Sequence, residues 1–431
     1  MFKKNDVVTL TITGMTTEGN GVGRCDGIAV FVAMSAIGDI LKVRITKVQK
    51  TFAYGIIDEI LTPSPNRINC DCSVFTKCGG CAFRHISYES ELAIKEDFVY
   101  DAFKRIGKLD VPFEKVLGCT EENHYRNKAQ YPVAEIDGNV VCGFYSRRSH
   151  RVVPFTECKL QPLVFEKIAN AIINLDNENK IPAYNEETCT GILRHIYIRE
   201  GYHSKEIMVC FVVNKPCKDK LLLICDKLTA EFSAIKSIVM NINSKNTNVI
   251  LGNKNVTLYG SDEIMDTMCG NKINLSPLSF YQVNTVQAEL LYGVVSEYAK
   301  LTGSEEVMDL YCGAGTIGLS LANKAKKILG VEIIEQAVEN AISNANSNGI
   351  VNAEFICGDT SKIATDLAQN GNTPDIIVVD PPRKGCDEDA LQAILTMSPK
   401  QVIMVSCNPA TAARDCAFLC KNGYKVVKGR A

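Results

Sequence analysis

From residue 271 onward the chain alternates short apolar runs with helical ones, and this rhythm restricts the fold more than any other feature. Residues 307–311, 327–332, 353–359, 375–380 and 401–406 read as strands, with helices over 316–325, 335–348 and 410–419. Near-continuous apolar strands separated by helices specify an α/β doubly wound, Rossmann-like sheet covered on both faces. Such sheets bind ligands in the crevice beyond the carboxyl ends of their strands. The strand ends are therefore where chemistry is expected.

The first strand runs into Asp309-Leu-Tyr311-Cys-Gly313-Ala-Gly315-Thr-Ile-Gly318, a G-x-G-x-x-G between strand and helix. Its glycines permit a tight turn and close approach of a ligand to the backbone, which suits a dinucleotide and S-adenosylmethionine alike. Glu332 ends the second strand, where a carboxylate accepts hydrogen bonds from ribose hydroxyls in either case. Asp309 suits a ligand carrying an ammonium and a sulfonium better than a pyrophosphate; its plainer role is that of a turn or capping residue. Asp359 closes the third strand. The fourth ends in Asp380-Pro-Pro-Arg383-Lys-Gly385, in which Asp380 can orient a ligand edge and Arg383 can meet a phosphate. The fifth ends in Ser406-Cys407-Asn408-Pro409. Free cysteine is usually a small core residue. Beside a nucleotide site Cys407 reads instead as a nucleophile, which hydride transfer would not need.

The rest of the chain has a different texture. Residues 1–62 alternate polar and apolar over 7–13, 28–32, 40–46 and 53–57, which suggests a small β-barrel of the oligonucleotide-binding (OB) kind, with glycine-rich 19–23 as a loop. Pro63-Ser-Pro65 opens a segment, 63–119, that holds Cys70-Asp-Cys72, Cys78-Gly-Gly-Cys81 and a helix over 87–103. The C-x5-C-x2-C spacing of Cys72, Cys78 and Cys81 needs one more thiolate to make a soft four-ligand site, and Cys158 is the candidate. Zinc and an iron–sulfur cluster both fit, and free thiols are the plainer alternative. Residues 120–270 read as a central α+β insert with strands over 129–134, 196–199 and 207–213. Its Arg147, Arg148 and Arg151, interleaved with Tyr and Phe, suit an RNA-binding surface or a strand edge guarded by charge.

No segment nears the roughly 18 apolar residues of a membrane span. The start leads into strand residues and not into an apolar signal core, so a cytoplasmic protein is expected. In that compartment 19 cysteines point to metal or catalysis and away from disulfides. A net charge of −2 is silent about nucleic acid.

Together these features resemble the uridine-5 RNA methyltransferase family, the 23S ribosomal and transfer RNA enzymes that make 5-methyluridine. The barrel of the TRAM type, C-x5-C-G-G-C with a later Cys, Gln282-Val-Asn284, Asp-Leu-Tyr-Cys-Gly-x-Gly, Asp-Pro-Pro-Arg-x-Gly and Ser-Cys-Asn-Pro stand in family order over nearly the whole chain. The resemblance implies S-adenosylmethionine held by Gln282, Tyr311, Glu332 and Asp380, with Asp309, Gly313, Gly315 and Asp359 as further cofactor-side positions. It implies a four-iron four-sulfur (4Fe-4S) cluster on Cys72, Cys78, Cys81 and Cys158, and Cys407 as nucleophile. The cysteine motif with the barrel looks more like the 23S rRNA branch than the cluster-free tRNA branch, so 23S rRNA is the expected partner, with no obligate protein partner. Family members continue beyond an expected sixth strand, 424–428, to a carboxylate base and a last strand, whereas this chain stops at Ala431. The resemblance then implies either a fragment or a chain that has lost the base needed for turnover. The alternatives are a tRNA methyltransferase, an impaired RNA-binding protein, and a redox sensor built on the cysteines.

Overall fold

The structure, a computed structural model, describes residues 2–431. Strands β1 (Val7–Met15), β2 (Asn20–Cys25), β3 (Ile28–Ala33), β4 (Ile40–Val48) and β5 (Phe52–Thr62) close into a barrel in the order β1-β2-β3-β5-β4. Alternate residues such as Val30, Val32, Leu41, Val43 and Ile45 fill it completely. The expected loop at 19–23 is instead most of β2. A Cβ at Gly21 would collide with Ser35 Oγ, and one at Gly23 with Leu10 Cδ1. These glycines are inward-facing strand residues of a barrel too narrow for side chains there, and composition alone misreads them.

A buried ion pair ties the next segment to the barrel. Asp39, fully buried, accepts from Arg67 Nε at 2.8 Å and Nη2 at 2.7 Å, and from the N–H groups of Ala36 and Ser64 at 2.6 and 2.8 Å. Burial pushes the Asp39 carboxyl up, but these bonds hold it below the usual carboxylate range. Helix α1 (Tyr88–Ala102) starts at Ser87, whose Oγ accepts from Ser90 N, and ends in a π-helical turn, Phe103–Gly107, before the short strand β6 (Phe113–Glu114).

The central insert is a six-stranded sheet. Strands β7 (Lys128–Ile136) and β8 (Asn139–Cys142) form a hairpin whose turn residues, Asp137 and Gly138, both take positive φ. The short strands β9 (Phe144–Tyr145) and β10 (Val152–Val153) pair separately, and helix α2 (Leu163–Asn179) follows. Next come β11 (Leu193–Glu200), β12 (Ile207–Val213), α3 (Lys218–Glu231), β13 (Ile235–Ile242) and β14 (Lys254–Gly260), in sheet order β14-β13-β12-β11-β7-β8. Every residue of β11 and β12 is buried, because the sheet is covered on both faces. Phe165, Ile168 and Phe211 pack on the helix side, while Tyr197, Met208 and Cys210 join the core of the C-terminal domain. The hairpin of β15 (Ile264–Met268) and β16 (Asn271–Leu275) also packs into that core, so the domain boundary expected at 270 falls in its turn.

The C-terminal domain has α4 (Thr285–Ala299), β17 (Glu306–Leu310), α5 (Thr316–Leu321), β18 (Lys327–Glu332), α6 (Glu335–Ser347), β19 (Ala353–Cys357), α7 (Thr360–Gln369), β20 (Ile376–Val379), α8 (Glu388–Met397), β21 (Gln401–Met404) and α9 (Pro409–Lys421). All five strands are parallel in the order β19-β18-β17-β20-β21, as the α/β alternation requires. The winding reverses between β17 and β20, and a crevice opens there. The sixth strand expected at 424–428 does not form. Instead β22 (Gly429–Arg430) pairs with β6, drawn there by charge: Lys428 Nζ lies 3.1 Å from Glu297 and 3.9 Å from the Tyr298 ring centroid, and Arg430 Nη2 lies 2.8 Å from Glu114. None of the described helices is long and apolar enough to cross a membrane.

One buried group makes the insert sensitive to pH. Asp176 of α2 is fully buried and neither carboxylate oxygen has a partner; burial raises its pKa to about 7, with Lys220 pulling the other way. Native protein then holds a proton that the unfolded chain, with an ordinary Asp, gives up near pH 4. Unfolding free energy should fall by roughly 2–4 kcal/mol as pH rises from about 4 to about 7. Urea titrations of the wild type and Asp176→Asn across that window check this; the variant should show a flatter profile.

Candidate active site

The loop after β17 lies over the crevice in a backbone form that few residues tolerate: φ is +65° at Tyr311, +55° at Gly313 and +77° at Gly315. A Cβ at Gly315 would stand 2.9 Å from the Phe355 ring, so the third residue of the glycine motif is required by packing as well as by φ. Glu332, at the end of β18, binds the loop directly: Oε2 accepts from Gly313 N at 3.1 Å and Oε1 from Ile334 N at 2.9 Å. Asp309 is fully buried beneath the loop. Its Oδ2 accepts from Gly318 N at 2.9 Å, Oδ1 has no partner, and burial lifts its pKa to about 7, with Asp380 and Glu332 adding to the rise. In this geometry Asp309 holds the start of α5 and shows no surface to a ligand. Asp359 likewise caps α7, its Oδ1 accepting from Lys362 N at 3.1 Å.

Across the crevice Asp380 ends β20. Burial raises its pKa to about 6, and its charge acts on both Asp309 and Tyr292. Tyr292 shares a hydrogen bond of 3.0 Å with Thr316 at the start of α5 and has Gln282 beside it. Gln282, Glu332, Asp380 and the glycine loop thus meet at the switch point, with Tyr311 beside Ser361 and Cys386.

Cys407 is exposed at the next strand end. Its loop is held to the Asp380 loop: Asn408 Nδ2 donates to Arg383 O at 2.9 Å, and Arg414 Nη2 donates to Lys384 O and Cys386 O at 3.0 Å each. Asn408 also caps α9, with Oδ1 accepting from Ala410 N, and Pro409 occupies the first helical position. The side chain of Arg383 is exposed beside them.

Three residues that sequence reasoning did not single out hold the remaining wall, segment 276–285. Buried Asn127 donates to Gln282 O at 2.8 Å and Thr285 Oγ1 at 2.9 Å, and its own N–H reaches Val283 O. Arg199 donates to Ser276 O at 2.6 Å and Ser279 O at 2.7 Å. Asp266 accepts from Tyr281 OH at 2.9 Å and from the N–H groups of Tyr202 and His203. Phe280, between these anchors, is 67% exposed. Only the polarity of Arg199 and Asp266 within largely apolar strands could have hinted at such roles.

Cys72, Cys78, Cys81 and Cys158 line one cavity of about 100 Å³ together with Phe75, Phe144, Phe155 and Arg126, whereas Cys70 lies outside it. Burial pushes the Cys81 thiol up to about 12 and raises Cys78 and Cys158 as well. Among the described residues no three His, Cys, Asp or Glu side chains converge on a point that would hold a single metal ion. The arginines around the cavity divide. Arg147 is half-buried, with Nη2 on Cys81 O at 2.7 Å and its guanidinium 5.6 Å from the Phe75 ring. Arg148 lies 5.5 Å from the Tyr54 ring of the barrel, and Arg151 is exposed.

Residues 87–428 match the family model described as tRNA (uracil-5-)-methyltransferase, and residues 2–57 match the TRAM domain. The chain is 42% identical to an uncharacterized RNA methyltransferase of Clostridium tetani, over 99% of this chain and 93% of the relative. It is 43% identical to one of Halalkalibacterium halodurans, over 98% and 92%. Among solved structures it is similar to the Pyrococcus abyssi tRNA (uracil-54, C5)-methyltransferase in complex with S-adenosyl-L-homocysteine, with TM-score 0.75 and 26% identity over 95% of this chain and 92% of that one.

Asn127→Ala would leave Gln282 O and Thr285 Oγ1 without their donor, a loss of about 1–3 kcal/mol. Amide hydrogen exchange over 282–288 should accelerate about tenfold or more while the barrel's rates stay unchanged.

Proposed function

We propose a reaction from the premise that the chain belongs to the tRNA (uracil-5-)-methyltransferase family and carries a TRAM domain: it transfers a methyl group from S-adenosylmethionine to carbon 5 of a uridine in RNA, with Cys407 as nucleophile. The observation that carries this reading is an exposed thiol at one strand end, hydrogen-bonded through its loop to the strand end that bears Asp380. Gln282, Tyr311, Glu332 and Asp380 would hold the cofactor, with Gly313 and Gly315 admitting it close to the backbone.

The chemistry explains the arrangement. Carbon 5 of uracil is a poor nucleophile. The Cys407 thiolate adds to carbon 6, and the resulting enolate attacks the sulfonium methyl through carbon 5. Loss of the carbon-5 proton to a base then breaks the bond to sulfur and restores the thiolate. The N-terminus of α9, two residues beyond Cys407, is an end that favours negative charge. The uridine has to leave its stack to reach the sulfur, and Arg383, exposed on the loop that Asn408 holds beside Cys407, would meet its phosphate.

Cys72, Cys78, Cys81 and Cys158 fit a 4Fe-4S cluster better than zinc. Zinc needs its four donors about 2.0–2.3 Å from a single ion, whereas these thiols surround a cavity walled by aromatic rings. Held there, a cluster would supply a cross-link between the 72–81 loop and residue 158. Gly80 N donates to Cys78 Sγ at 3.3 Å, the kind of bond that tunes a thiolate ligand. The cysteine motif with the barrel favours 23S rRNA as substrate. The tRNA reading is favoured by the archaeal neighbour, and presenting both RNAs to the enzyme separates the two.

Cys407→Ala should lower methyl transfer by at least about a thousandfold while S-adenosylhomocysteine still binds; calorimetry with a labelled-methyl assay checks both. Protonating Asp380 removes a negative charge from the site of a cationic ligand. S-adenosylmethionine affinity should therefore fall as pH drops through about 6, and Asp380→Asn should abolish that dependence. Cys158→Ser should lose bound iron and the visible absorption of a cluster.

A further inference from the structure

A cation without a counter-charge stands on the insert's side of the crevice. Lys128 and Arg199 are directly opposed in the antiparallel pair β7/β11, so their side chains share one face. That face looks toward the C-terminal domain. Arg199, 1% exposed, reaches Ser276 O and Ser279 O, and Tyr197 lies in the core shared with Tyr281 and Tyr292. Lys128 therefore stands beside the segment that presents Phe280 and Gln282.

The half-buried Lys128 side chain makes no ion pair and no hydrogen bond among the described residues. Arg199 donates only to carbonyls, its guanidinium lies 5.5 Å from the Tyr197 ring centroid, and its Nε is unpartnered. Arg126, the third cation nearby, lines the thiol cavity, where thiolates would give it a counter-charge. Glu200 follows Arg199 in β11 and so points to the opposite face. Burial first, then Arg199 and Arg126, pull the Lys128 ammonium down to about 8, and no carboxylate offsets them. Two like charges side by side in a poorly solvated wall are unfavourable, and an anion arriving from solution relieves that.

We propose that Lys128, braced by Arg199, receives a backbone phosphate of the RNA beside the target uridine and so fixes how the strand enters the crevice. This rests on the RNA-methylating reading above. A flipped nucleotide has its flanking phosphates close to the protein surface, and a phosphate contact sets register without reading sequence.

The test compares wild type with Lys128→Gln and Lys128→Arg, each shown folded by its melting temperature. RNA affinity is measured by anisotropy over a potassium chloride series, alongside steady-state methylation. For Lys128→Gln the slope of log Kd against log salt should shrink by about 0.7–1. Its RNA KM should rise roughly tenfold with kcat within about twofold, the cost of one charge-assisted contact, and Lys128→Arg should restore KM. A neutral methylphosphonate at one position beside the uridine should weaken wild type but leave Lys128→Gln unaffected. An unchanged salt slope in Lys128→Gln overturns the proposal. So does a loss of S-adenosylhomocysteine affinity with RNA binding intact, which would assign the lysine to the cofactor carboxylate. Wild type that neither binds nor methylates RNA would sink the reading beneath it, a failure visible without any variant.

Discussion

The candidate site depends on one topological constraint: β17 and β20 are neighbours whose following connections leave in opposite directions. Packing cannot close the gap between those loops, so the carboxyl ends of the two strands stay open. The glycine loop lies on one side and the Asp380 loop on the other. Hydrogen bonds then fix what the topology exposes. Glu332 and Asp309 hold the glycine loop from beneath, through Gly313 N and Gly318 N. Asn408 and Arg414 hold the Cys407 loop to the Asp380 loop. The proposed cofactor side and the proposed nucleophile are thereby built on rigid strand ends.

The third wall is supplied by the insert. Asn127, Arg199 and Asp266 reach segment 276–285 from the central sheet or the hairpin beside it. Two of these, Asn127 and Arg199, belong to the central sheet or its edge, so that sheet and the segment bearing Gln282 form one hydrogen-bonded body. The N-terminal units are joined by the same means. The buried Asp39–Arg67 pair fastens the cysteine segment to the barrel, and Arg147 fastens the β9–β10 hairpin to Cys81. Breaking either pair would leave a desolvated charge.

Much of this was legible in the sequence, and the failures have physical causes. The parallel sheet, the helix from Ser87 and the barrel were readable because period and punctuation agree locally. Gly21 and Gly23 were misread because their role comes from barrel width, a property of strands distant in sequence. The end of the chain was misread because Lys428 and Arg430 answer to Glu114 and Glu297, which no local pattern reveals. Asp309 takes the turn role that the sequence also offered for it, its Oδ2 engaging the backbone of α5, and Asp359 caps α7 through Oδ1. The convergence of four thiols on one cavity was suggested by spacing for three of them, and Cys158, named as the fourth from the sequence, lines the same cavity.

The central claim is that the crevice delivers a methyl group to carbon 5 of uracil. The most direct measurement uses RNA whose uridines carry tritium at that carbon, with release of tritium to water followed against methyl transfer. One tritium released per methyl transferred, both lost together in Cys407→Ala, is the result the account predicts. Methyl transfer with the tritium retained would place the methyl on another atom and contradict it.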